Sequence, residues 1–144
     1  MAGYSGTPLI QKIGVRPGHR IMVRNQPPTF FKELGPMPEG AQYSTKPSGR
    51  ANVVICFSER KAELEKNFPS LADKLVPDGM LWISWPKKAS GVATDLTEDV
   101  VREIGLDSGL VDVKVCAIDE TWSGLKFVIR TKDRPAAVKK KQAK

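Results

Sequence analysis

The chain has 144 residues, 40% of them apolar and 27% charged, with a formal charge of +7. One domain fits that length, and the composition is that of a globular protein, neither fibrous nor disordered. No apolar run approaches the roughly 20 residues of a membrane span, and the opening Met1-Ala2-Gly3-Tyr4-Ser5-Gly6 carries no basic and apolar leader, so the sequence reads as cytoplasmic.

In chain order, Thr7-Pro8 followed by Leu9, Ile10 and Ile13 predicts a short helix, with Thr7 as N-cap, Pro8 as first helical residue and Gly14 as the stop. A Pro17-Gly18 turn leads to a first strand over 20–24, broken by Asn25-Gln26-Pro27-Pro28. A short helix over 29–34 ends at Gly35-Pro36, and a brief strand is expected over 42–45. The apolar run 53–57 has strand length. Ser58 is placed to cap a helical stretch over 59–76, in which Leu64, Phe68, Leu71, Ala72 and Leu75 share a face and Pro69 predicts a kink or two abutting helices. Pro77-Asp78-Gly79 reads as a turn before a buried strand over 80–85. A polar loop then runs to a helix over 97–106, with Thr97 as its cap and Gly109 at its exit. The alternating run 111–118 and the run 125–130, joined by a short loop, must be antiparallel neighbours.

Continuous apolar strands alternating with helices require a parallel sheet covered on both faces. The expected fold is therefore α/β: a three-layer, Rossmann-like, mostly parallel sheet closed by an antiparallel hairpin. Residues 1–131 form the single domain. Residues 132–144 form a basic, solvated tail, because the span 130–144 holds seven basic residues against Asp133 alone, while 1–129 is almost neutral. Cys56 and Cys116 lie in apolar runs and read as buried thiols of a reducing compartment. The lone His19 cannot build the usual zinc sets, so no metal is expected.

Arg16-Pro17-Gly18-His19-Arg20-Ile21-Met22-Val23 and Leu75-Val76-Pro77-Asp78-Gly79-Met80-Leu81-Trp82, with the terminal hairpin, resemble the class I S-adenosylmethionine-dependent methyltransferase fold over about residues 15–130. Tyr4-Ser5-Gly6-Thr7-Pro8-Leu9, the stretch Ser84-Trp85-Pro86-Lys87-Lys88-Ala89-Ser90-Gly91, Asp95-Leu96-Thr97 and Trp122-Ser123-Gly124 are similar to a small bacterial family of uncharacterised, methyltransferase-like proteins. That resemblance implies the fold and brings no activity with it. The first strand of a working methyltransferase leads into a glycine-rich turn, where the backbone must approach the cofactor. Here it leads into Asn25-Gln26-Pro27-Pro28, and Tyr43-Ser44-Thr45 offers no acid for ribose hydroxyls. No cofactor is expected on these grounds.

Ligands of open α/β sheets bind outside the carboxyl ends of the strands. That rule selects Asn25, Ser58 with Glu59, Trp85, Lys87, Lys88, Asp119, Glu120 and Trp122. Lysines there would hold an anion such as phosphate or carboxylate, and the tryptophans would either wall a ligand or anchor loops. Asp119 and Glu120 would either line the crevice or pair with those lysines. His19 falls at the opposite, amino edge. The function expected is a binding domain for a small anionic ligand or a protein partner. The alternatives are a methyltransferase with an atypical cofactor loop and a nucleic-acid-associated protein acting through the tail.

Overall fold

The computed structural model describes residues 8–46 and 49–134. Helix α1 (Leu9–Ile13) leads to strand β1 (Arg20–Arg24), helix α2 (Phe30–Leu34) and strand β2 (Gln42–Ser44). Strand β3 (Ala51–Phe57), helix α3 (Lys61–Asp73), strand β4 (Leu75–Pro86), helix α4 (Glu98–Asp107) and strands β5 (Leu110–Ala117) and β6 (Trp122–Ile129) follow. The six strands form one sheet in the order β2-β1-β3-β4-β6-β5. The first four are parallel, and β6 runs antiparallel to both β4 and β5. The hairpin thus inserts its returning strand between β4 and the half-polar β5, which becomes the edge.

The central strands bury both faces, as their continuous apolar runs require. On one face Phe68 and Leu71 of α3 and Val101 and Ile104 of α4 pack on Val54, Leu81, Ile83 and Phe127. On the other, Ile13 of α1 and Phe30 and Leu34 of α2 pack on Val23, Ile55 and Trp82. Trp82 is fully buried mid-strand, and its Nε1 donates to the Ile13 carbonyl at 2.9 Å. Its only polar group is therefore satisfied inside the core, and α1 is tied to the sheet.

Most element ends follow local chemistry. Gly14 closes α1 in the left-handed region at φ 96°, and Thr97 Oγ1 accepts from Val100 N to cap α4. Thr7, expected as the first cap, lies outside the described residues, and the cap of α1 is Pro8. Three expectations are corrected. Ser58 does not cap α3, which starts later, with Arg60 in the cap position; the carboxylate that serves its first turn comes from Asp95, which accepts from Lys61 N at 2.7 Å. Pro69 sits inside a single helix, which excludes the two abutting helices expected as one alternative there. Pro77-Asp78-Gly79 is not a turn before β4 but an outsized bulge within it, since Ala51 pairs with Leu75 and Val53 already pairs with Met80. Gly79 is required there: a Cβ would stand 3.0 Å from the Val76 carbonyl and 3.1 Å from that of Asn52.

Among the described residues no helix is long and apolar enough to cross a membrane. The basic tail is described only through Arg134, with a short 3-10 turn at Thr131–Asp133.

Candidate functional site

The chain leaves β1 for one side of the sheet and returns to β3 on the other, so the carboxyl ends of β1 and β3 flank the switch point where such sheets bind ligands. A cavity of about 460 Å³ opens there, lined by Asn25, Pro27, Pro28, Phe57, Ser58, Glu59, Arg60, Glu63 and Trp122. That volume is in the usual range of small-molecule pockets.

Asn25 follows β1 directly, at φ 60°, the left-handed region that asparagine tolerates better than most residues. This turns the chain sharply, and its Nδ2 donates to the Phe57 carbonyl at 3.4 Å, tying the first loop to β3. Phe57 and Trp122 meet edge to face at 5.1 Å, and Phe57 meets Phe30 at 5.0 Å, so the apolar wall is a packed aromatic row. Ser58 is 5% exposed, its N–H donates to the Ser84 carbonyl, and its Oγ is buried without a hydrogen-bond partner. Such an orphan hydroxyl in a cavity wall is uncommon and calls for an explanation. Glu59, Arg60 and Glu63 come from the loop and first turn of α3, so the polar wall carries two carboxylates and one guanidinium.

Of the residues selected from sequence, Asn25, Ser58 and Trp122 meet around this cavity, with Glu59 beside them. Lys87 lies on the same rim, its N–H donating to the Thr121 carbonyl at 2.7 Å, and Lys88 is exposed in the following 3-10 turn; neither lines the cavity. Trp85 turns the other way. It is 5% exposed within the core beneath α3 and α4, because alternate residues of a strand face opposite sides and Trp85 shares its side with Ile83 and Leu81-flanking packing of that layer. It anchors the structure and forms no ligand wall.

Asp119 is 9% exposed and does not pair with the lysines. Its Oδ1 accepts from Thr121 N and Trp122 N at 2.8 and 2.7 Å, shaping the loop that presents Trp122. It also hydrogen-bonds Glu33 of α2. Partial burial, that bond, and the charges of Asp119 and Glu120 push the Glu33 carboxyl up to about 7. Glu120 is exposed and forms no part of the cavity lining. His19 sits at the amino edge, where its Nδ1 accepts from Arg16 N, and burial holds it below its ordinary range.

Pro27, Pro28, Arg60 and Glu63 belong to the lining but were not selected from sequence. The prolines read as strand breakers, and Arg60 and Glu63 as helix surface. The only available signal was position: the first turn of a helix that follows a central strand points back at the switch point. Among the described residues no group of three or more His, Cys, Asp or Glu side chains is placed to hold a metal.

With this geometry the chain has a Rossmann-like α/β fold, and solved structures of that fold resemble it. It is similar to a methyltransferase from Aquifex aeolicus (TM-score 0.59, 11% identity, covering 83% of this chain and 86% of that one). It is also similar to magnesium protoporphyrin IX methyltransferase from Synechocystis PCC 6803 with bound SAM (TM-score 0.54, 15% identity, 84% and 74%). A "possible exported protein" from Bordetella parapertussis matches as well (TM-score 0.61, 10% identity, 84% and 65%). These likenesses establish the fold. No protein-family model and no curated protein matches the sequence.

The fold class implies S-adenosylmethionine, and the residues do not fit it. The loop after β1 puts Pro27 and Pro28 against the cavity, so two of its positions have no N–H to donate. At the carboxyl end of β2, Tyr43 is stacked on Phe31 at 4.1 Å and Ser44 Oγ accepts from Lys46 N. Among the described residues that follow β2 directly, Thr45 and Lys46, there is no carboxylate for a ribose.

Proposed function

We propose that the protein is a ligand-binding domain whose site is the switch-point cavity, and that it does not transfer methyl groups. The ligand is a small metabolite with an anionic end, carboxylate or phosphate, and a cationic group. Arg60, beside the positive end of α3, suits the anion. Glu59 and Glu63 suit the cation, and the Phe57–Trp122 wall suits its apolar body. The observation that carries this reading is the switch-point cavity itself, whose polar lining has both signs beside an aromatic wall. The lysines of the rim supply attraction at a distance.

A thermal-shift screen of amino acids, nucleotides and phosphorylated metabolites tests it. Wild type is expected to gain melting temperature with at least one zwitterionic or phosphorylated compound, and Arg60→Ala to lose that gain. A broad panel without a hit contradicts the reading.

Methyl transfer is the second reading, supported by the fold likeness. Calorimetry with S-adenosylmethionine separates the two: a dissociation constant below about 100 μM, inside the range of working Michaelis constants, favours the enzyme.

A further inference from the structure

A second, smaller cavity, of about 110 Å³, lies at the other end of the strands. Arg20, Gln42 and Ala51 in its wall are the first residues of β1, β2 and β3, whereas Asn25 and Ser58 of the switch-point cavity follow the last residues of β1 and β3. Among the described residues that line it, Arg20, Lys46 and Arg50 are cationic and none is acidic. The cations are held by the backbone around them. Arg50 Nη1 donates to the Asp73 and Leu75 carbonyls at 2.6 and 3.1 Å, where α3 gives way to β4, and its other N–H donors are left for a ligand. Gly49, at φ 68°, passes so close to Arg20 that a Cβ would stand 3.1 Å from Nη1 and 3.3 Å from Nη2, so only glycine leaves that guanidinium in place. Lys46 comes beside them through a turn in which Ser44 Oγ accepts from its N–H at 3.1 Å.

We propose that this cavity binds a single phosphate group, as the free ion or as the head of a small ester. A guanidinium meets phosphate with two parallel N–H bonds, and an ammonium adds a point charge. Size selects the group: pockets that take whole metabolites hold about 300–1,000 Å³, and this one holds about 110 Å³. Charge selects phosphate over carboxylate, because a phosphate group carries about −1.5 to −2 at pH 7 and so matches a cluster of cations better than a single negative charge does. The inference stands apart from the ligand of the switch-point cavity, with which it shares no lining residue.

The test is an amide NMR titration of the full chain with inorganic phosphate and, separately, with glycerol phosphate, at neutral pH and constant ionic strength. Saturable shifts are expected at the Ser44, Lys46, Gly49 and Arg50 amides, with a dissociation constant of about 1 mM or tighter. They should persist in Arg60→Ala, which separates this site from the switch-point cavity. Shifts with inorganic phosphate make the free ion the ligand, and shifts with glycerol phosphate alone make it an ester head. Arg50→Gln is expected to weaken binding about tenfold, the loss of a charge-assisted hydrogen bond. Because Arg50 also holds the end of α3, Lys46→Gln, at an exposed position, carries the same expectation should that variant fail to fold. No saturable shift at these amides with either compound, shifts that chloride alone reproduces, or unchanged affinity in folded Lys46→Gln each overturns the proposal.

Discussion

Asp119 is held in place by what it holds. Its two bonds to the Thr121 and Trp122 amides form the turn that presents the cavity's ring, and Asp119→Ala leaves two partly buried N–H groups without an acceptor. Stability is expected to fall by about 1–3 kcal/mol in urea unfolding, the usual cost of such orphans. The Glu33 partner makes the same contact depend on pH. Its carboxyl is raised from 4.5 to about 7 in the folded protein, so between those values the folded state binds more protons than the unfolded one. Stability contributed by this group is therefore present in acid and is lost as pH rises through about 7. Melting temperature should decline from pH 5 to pH 8 in wild type and decline less in Glu33→Gln; parallel profiles would contradict the pairing. Cys56 is a third case: burial pushes its thiol up to about 11, so it should resist alkylation at pH 8 until the chain unfolds.

At the scale of elements, the packing of α4 leaves no freedom at Gly105. A Cβ there would collide with the Phe127 ring, which is itself fixed edge to face against Phe68. Gly105→Ala forces α4 off the sheet and is expected to cost about 1–3 kcal/mol, as overpacked cores do; thermal denaturation showing no loss would mean that the helix can shift freely. The sequence pattern made α4 legible, since Thr97, the acids after it and the apolar stripe all agree. It misplaced the start of α3, because the carboxylate capping it comes from Asp95, 34 residues away in sequence. It also took Pro77-Asp78-Gly79 for a turn, because a bulge in a central strand uses the same residue types as a turn; only pairing with β3 distinguishes them.

Across the whole molecule, the fold could be read because every central strand is a continuous apolar run, and the hairpin's short loop dictated its antiparallel return. The site could be read only in part. Topology alone placed Asn25, Ser58 and Trp122 on one rim. Strand alternation, which depends on register, sent Trp85 into the core, and a contact between α2 and the last loop engaged Asp119 with Glu33. Neither is a property of any local stretch of sequence. The central claim concerns the cavity, and an NMR titration reaches it most directly, following the Trp122 indole and Ser58 amide with Trp82 as the buried reference. The account predicts saturable shifts at Trp122 and Ser58 with a small zwitterionic or phosphorylated metabolite, with Trp82 still, and none with S-adenosylhomocysteine up to about 1 mM, the upper end of ordinary Michaelis constants. Saturable shifts with S-adenosylhomocysteine, or none at Trp122 with any compound that binds, would contradict it.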